Sequence, residues 1–201
     1  MALRLIDESS CAPDDGDAEI RRLRKQLEDG APMDKQSALT RLVELRAERA
    51  LTELLASPDT LTAKLATAGL WECWLSEEGP VARRSMEKGI KLMNTGDPAG
   101  ALDIFSALAK KHPKWAEALN KQATALYLLG NARLSLKVCR LVVELKPDHF
   151  GAWNGMALCA AQLEKWPQVL EAAREALRLQ PGAQANVDLL RLAETKLRER
   201  E

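Results

Sequence analysis

The side chains with which this chain could do acid–base, nucleophilic or metal chemistry are two histidines, four cysteines and 29 carboxylates. His112 and His149 each lie close to a proline, Pro113 and Pro147, and read as residues of connecting turns rather than of an acid–base constellation. The carboxylates are scattered at ordinary helix-surface spacing, with no pair set apart for proton transfer. Cys11, Cys73, Cys139 and Cys159 show neither a CxxC spacing nor paired histidine ligands. No P-loop, GxGxxG, HExxH or GxSxG string is present. The expectation is therefore a non-enzymatic protein with no catalytic residue, no metal and no cofactor. Two cationic strings remain. RRLRK at 21–25 is flanked by Glu19, Glu28 and Asp29 and reads as a solvated helix face, while KKHPKW at 110–115 sets cations beside an aromatic.

Any site must be positioned by elements that repeat. Pro113, Pro147 and Pro181 follow one another at equal intervals. The stretch AEALNKQATALYLLGNARLSLKVCRLVVELKPDHF, residues 116–150, reads as two amphipathic helices joined at Gly130-Asn131 and stopped by Pro147. Self-similarity at this period means one helix-turn-helix unit stacked several times, not a single closed core. A hydrophobic content of 46% with 29% charged residues fits a soluble globular chain. No apolar run approaches the ~20 residues a membrane helix needs. Three of the cysteines fall on predicted helix faces, where a free thiol behaves as a small hydrophobe; this favours a reducing compartment such as the cytoplasm. The formal charge is zero but unevenly spread: residues 1–80 carry 10 basic and 16 acidic side chains, residues 81–201 carry 19 and 13.

Ahead of the repeats, residues 1–16 read as a flexible leader, acidic and unlike a secretory signal or an Arg-rich transit peptide. Residues 17–80 form an N-terminal helical extension. Its first helix covers 17–28 and stops at Gly30. Asp34 caps a longer one over 35–56, and Thr60 caps a third over 61–77 that carries Trp71 and Trp74. The last two are expected to form a hairpin that caps the N-terminal end of the array, with both tryptophans on the first repeat. An acidic extension packed on a basic repeat domain would also shield Met86, Ile90 and Met93.

The repeat domain, 81–183, divides into units 82–115, 116–149 and 150–183. Gly89, Ala123 and Ala157 supply a small residue in the middle of each first helix. The turns read Gly96-Asp97, Gly130-Asn131 and Glu164-Lys165, with Asp97 and Asn131 as N-caps and Pro98 at a first helical position. Ala101, Phe105 and Leu108 recur as Ser135, Cys139 and Val142, then as Val169, Ala173 and Ala176, and Trp153 and Trp166 stand at bulky packing positions. With these residues, about half of the chain resembles the tetratricopeptide repeat (TPR) family. Lys88 in place of an apolar residue and a third turn without glycine depart from its pattern. The strings WAEALNKQATALYLLG and HFGAWNG are also similar to a subgroup of small soluble TPR proteins of bacteria and plant plastids, which would place the chain in the stroma. The resemblance implies an all-α fold: a right-handed α-solenoid of three TPR units with the N-terminal extension and a C-terminal capping helix over 184–201.

The resemblance also implies a concave groove, lined by the first helix of each unit, that binds a peptide or helix. Its residues here are Met86, Ile90, Met93 and Asn94; Asn120, Thr124 and Tyr127; and Asn154, Leu158 and Gln162. Asn120 and Asn154, one repeat apart, would form a two-rung amide ladder suited to an extended backbone, since an amide both donates and accepts. Met86, Ile90 and Met93 would form an adaptable apolar patch. Some family members hold acidic chaperone tails in a clamp of basic residues and Asn. Met86, Ile90, Gly151 and Gly155 stand at those positions, so no Hsp90/Hsp70 carboxylate clamp is expected. The partner expected is a protein or peptide of apolar or amphipathic character, for an adaptor or assembly factor. The alternative is an RNA-associated helical repeat using the basic half of the chain.

Overall fold

The computed structural model describes residues 15–199, so the leader and Cys11 lie outside the described residues. Those residues form eleven helices: α1 (Asp15–Asp29), α2 (Pro32–Glu44), α3 (Glu48–Glu53), α4 (Thr60–Leu75), α5 (Gly79–Asn94), α6 (Pro98–Lys111), α7 (Ala116–Leu128), α8 (Ala132–Leu145), α9 (Phe150–Gln162), α10 (Trp166–Leu179) and α11 (Gln184–Arg198). Helices α5/α6, α7/α8 and α9/α10 are antiparallel pairs, each packed on the next, and α11 closes the stack against α10. The result is a right-handed all-α solenoid. None of the described helices is long and apolar enough to cross a membrane.

The turns explain why the pairs repeat. Each is closed by the same backbone bond from a residue to the carbonyl five before it: Asp97 to Leu92, Asn131 to Leu126 and Lys165 to Ala160. This geometry needs one residue in the left-handed region, which glycine occupies without steric cost. Gly96 and Gly130 fill it in the first two repeats, and Glu164 takes it at φ 54° in the third. Losing the glycine therefore leaves the turn intact. Asp97 and Asn131 cap the second helices by accepting from Gly100 N–H and Leu134 N–H. Between the helices of the first pair, a Cβ on Gly89 would lie 2.5 Å from the Phe105 ring, so that position must stay small.

The N-terminal helices differ from expectation in three respects. The helix expected over 35–56 is broken in two, because Arg46 enters the left-handed region at φ 51° and Ala47 N–H bonds to Leu42 C=O, the same turn the repeats use. Ala31 stands at the cap of α2 with Pro32 in its first turn, which leaves Asp34 inside the helix. Asp59, not Thr60, caps α4, its carboxylate accepting from Leu61 and Thr62 N–H. The Asp59 carboxylate also binds Lys35 Nζ at 2.6 Å, and that ammonium is buried and further satisfied by Glu28 C=O and Thr62 Oγ1. The Lys35 ammonium, with Thr62 second, holds the Asp59 carboxyl well below the usual carboxylate range.

The placement of the tryptophans also differs. Trp71 and Trp74 do not rest on the first repeat. They share a core with Phe150 and Leu179, residues of the second and third repeat boundaries. The extension lies along the edge of the solenoid where one repeat passes into the next. That edge presents a fresh helix start in every repeat, and α4 buries its aromatic face there.

Candidate functional site

Most of the residues expected to line the groove are at least partly accessible, but Met86 and Asn120 turn inward. Met86 is fully buried: it follows Ala82 by one turn and precedes Gly89, so it faces Phe105 and Ala101 inside the first repeat. Ile90 and Met93 pack against the same cluster and are half-buried, while Asn94 is exposed. The apolar patch thus belongs to the core of the first repeat, and the extension does not need to cover it. Asn120 is buried as well, and its Nδ2 donates to Glu117 Oε2 at 3.0 Å. Thr124, Tyr127, Asn154 and Leu158 are half-buried and Gln162 is exposed. Thr124 Oγ1 donates to its own helix at Asn120 C=O.

The two asparagines do not form a ladder, and the reason is local. Asn120 has Glu117 one turn before it, whereas Asn154 has Gly151. A Cβ on Gly151 would lie 2.7 Å from Trp71 Cη2, so a glycine is required there to admit the indole. The Asn154 Nδ2 therefore lacks the acceptor that Asn120 has one turn back, and its Oδ1 is separately buried with no hydrogen-bond donor.

Glu117 is the centre of a buried joint that no sequence motif announces. His149 caps α9: its Nδ1 accepts Ala152 N–H at 3.1 Å. A ring nitrogen that accepts carries no proton, so the proton sits on Nε2, which donates to Glu117 Oε2 at 3.1 Å. Lys121 Nζ lies 3.1 Å from the other carboxylate oxygen and 4.7 Å from the centre of the Trp71 ring. Burial by itself would raise the Glu117 carboxyl, but the His149 hydrogen bond and the Lys121 charge outweigh it and hold the group below its usual range. His149 is sandwiched from the other side, its ring stacked on Trp74 at 4.2 Å.

This acid–histidine pair has the chemistry of a catalytic dyad but not the access. Glu117 and His149 side chains are both 0% exposed, so no substrate atom reaches them. The joint fastens the extension to the repeats. Further ties lie along the same edge, at equivalent positions of successive repeats. His112 Nδ1 lies 2.7 Å from Glu78; Lys146 Nζ lies 2.8 Å from Glu48 and 3.5 Å from Glu77; Gln180 Nε2 donates to Thr67 Oγ1 at 3.0 Å. Trp115 Nε1 adds a bond to Trp74 C=O at 2.7 Å. Among the described residues, no group of three or more His, Cys, Asp or Glu side chains is placed to hold a metal ion. Cys73, Cys139 and Cys159 are buried, and burial pushes the Cys73 thiol up to about 11, away from nucleophilic use at neutral pH.

No protein-family profile matches the chain. A TPR repeat-containing protein of Rhizobium etli is 32% identical to it over 93 residues, 45% of this chain; the match spans just under half (46%) of that curated relative. Among solved structures, the first TPR of Spaghetti (RPAP3) bound to the HSP90 peptide SRMEEVD superposes with a TM-score of 0.57 at 21% identity, covering 61% of this chain and 94% of that one. The Sgt2 TPR domain of Aspergillus fumigatus gives 0.57 at 17% identity over 60% of this chain and 81% of that one. YrrB, described as a TPR protein with an unusual peptide-binding site, gives 0.51 at 17% identity over 86% of this chain and 97% of that one. Identities this low establish the shared fold and nothing finer.

Proposed function

We propose that this tetratricopeptide-repeat protein is a non-enzymatic interaction module, an adaptor or assembly factor that holds a peptide or helix of a partner protein on the inner face of α7 and α9. The observation that carries the reading is the Asn154 amide. Its side chain is half-buried on α9, and its Nδ2 has no carboxylate one turn back to donate to, unlike that of Asn120. A backbone C=O of a bound segment accepts from it. Tyr127 and Leu158, both half-buried, offer apolar contact beside it, and Gln162 adds an exposed amide. The solved TPR relatives that carry HSP90 or HSP70 peptides support the general reading. This chain has Met86, Ile90, Gly151 and Gly155 where a carboxylate clamp needs cations and Asn, so the segment it holds is apolar or amphipathic and not an acidic chaperone tail. Three buried thiols suit a reducing compartment.

The test is site-directed photocrosslinking. A photoreactive residue at Leu158 of the full chain is expected to trap a defined protein, and Asn154→Ala should reduce the yield. The HSP90 peptide SRMEEVD should fail to compete. Equal trapping from Lys137, on the outer helix α8, would refute the inner face. Loss of the adduct on ribonuclease treatment, with binding that falls steeply with salt, would favour the RNA-associated alternative.

A further inference from the structure

We propose that the upstream face of the first repeat is a second docking site, taking an amphipathic helix with acidic flanks from a partner protein. The face is formed where Val81, Ser85 and Lys88 of α5 meet Ile104, Ala107 and Lys111 of α6 around a hollow of about 310 Å³.

The repeats themselves say that a helix belongs there. One period after Val81, Ser85 and Lys88 come Trp115, Leu119 and Gln122 of the second repeat; a further period on come His149, Trp153 and Met156. Those positions are covered by the preceding pair. Trp115 and Leu119 pack into a cluster with Phe105 and Leu108 of α6, and Gln122 Nε2 donates to Ser106 Oγ at 3.1 Å. Met156 packs on Leu136 and Cys139 of α8. In each later repeat, then, the second helix of the unit before it fills this face. In the first repeat α4 would have to play that part, but it packs along α2 and α3, reaches α7, and meets α5 at its C-terminal end through Leu75 and the Glu72–Arg83 ion pair. Val81 is left 64% exposed, and Ala107 is exposed beside it.

The charge selects the occupant. Lys88 and Lys111 are exposed at opposite sides of the hollow, and neither makes an ion pair or hydrogen bond among the described residues. The nearby acids are already used: Glu87 by Arg83 and Glu78 by His112. A helix bearing carboxylates on its flanks would meet both ammonium groups, which an uncharged or basic helix would leave unpaired. Among the described residues, no helix is left free to supply this occupant. The apolar stripes of α1, α2 and α4 are spent inside the extension, and only Met33 and Leu61 of its large apolar side chains stand exposed. Nor does a second copy fit, since α11 at the far end exposes Leu192 alone among its large apolar side chains, and such head-to-tail stacking would grow without closing.

The experiment uses the full chain and two fluorescent helical peptides with leucines at heptad a and d positions, one with glutamates on its flanks and one with lysines. Anisotropy should show saturable binding of the acidic peptide only. Ala107→Glu, at an exposed position where folding is retained, should weaken it at least about tenfold with an unchanged melting temperature. Lys88→Glu combined with Lys111→Glu should abolish binding of the acidic peptide and admit the basic one. Failure of the acidic peptide to bind, or equal binding of both, overturns the proposal. Binding indifferent to Ala107→Glu but lost in Leu158→Glu places the peptide on the inner face, which overturns this site and leaves the function proposed above standing. Self-association of the wild type that Ala107→Glu abolishes would make the occupant a second copy and overturn the partner assignment.

Discussion

Replacing Glu117 by leucine removes one acceptor group that three side chains share while keeping the volume filled. His149 Nε2–H and Asn120 Nδ2–H lose their partner at Oε2, and Lys121 loses its ion pair at Oε1. The first two are buried, and stranding a buried donor costs about 1–3 kcal/mol, so together they cost about 2–6 kcal/mol. Lys121 is 19% exposed on its side chain and adds less, because water reaches it. At about 2–4 °C per kcal/mol for a chain of this size, the melting temperature should drop by roughly 5–20 °C. Glu117→Gln keeps one acceptor oxygen and should fall between the two. Calorimetry on wild type and both variants measures this. The pH dependence supplies a second reading. Glu117 has its carboxyl held below the ordinary value of 4.5, so the stability it contributes is complete above that value and is lost as the pH falls through the lower, folded one. The difference between wild type and Glu117→Leu should therefore shrink on acidification below pH 4.5. A leucine variant that melts with the wild type at neutral pH, or a difference that grows in acid, would refute the role assigned to this carboxylate.

Gly89→Ala should cost about 1–3 kcal/mol in denaturant titration, because its Cβ would stand 2.5 Å from the Phe105 ring; no loss would count against the packing of the first pair. Gly151→Ala forces the same conflict on Trp71, and should expose the extension to limited proteolysis while α5–α10 resist; unchanged cleavage would show that the indole is not seated there. Deleting residues 1–78 uncovers Trp115, His149, Phe150 and Leu179 along one edge, so the fragment should aggregate or lose cooperative melting. A soluble, monomeric fragment that melts like the full chain would mean that the edge contacts contribute little.

The solenoid is legible in the sequence because its determinants are local. A left-handed turn residue and a small residue at the helix crossing recur in every unit, with a side-chain cap in the first two, and each acts within one hairpin. Glu164 shows how little the turn depends on its glycine: the backbone holds φ 54° without it. The groove is less legible. Analogy with other repeats makes Met86 a groove residue, yet its spacing from Ala82 and Gly89 marks it as a core residue of its own helix. His149 stands one period after Trp115, a signal that its position is a buried aromatic one. That the acidic extension packs on the basic repeats is legible in the charge split, but the place where it docks is not. The docking rests on Lys146 with Glu48 and on Gln180 with Thr67, pairs 98 and 113 residues apart, with no local pattern to announce them.

That docking changes what kind of solenoid this is. Repeats in such arrays ordinarily touch only their neighbours, so curvature follows from small interface terms and is easily bent. Here Trp115, Lys146 and Gln180, near the ends of successive repeats, are tied to α4, α3 and α4 of the extension, while His112 meets Glu78 at the cap of α5. A splint along successive repeat boundaries adds a restraint on their mutual rotation to that of the nearest-neighbour contacts. The inner face between α7 and α9 is then presented with Trp71 wedged at its margin against Gly151, so its shape is set before any partner arrives. Binding to a preformed face spares the ordering cost that a bending array would meet at each encounter. Part of the charge split also meets at this edge, where Glu48 and Glu77 of the acidic part approach Lys146 of the basic one. On the proposed reading, the extension acts on the inner face from its margin, through Trp71 against Gly151, one turn before Asn154.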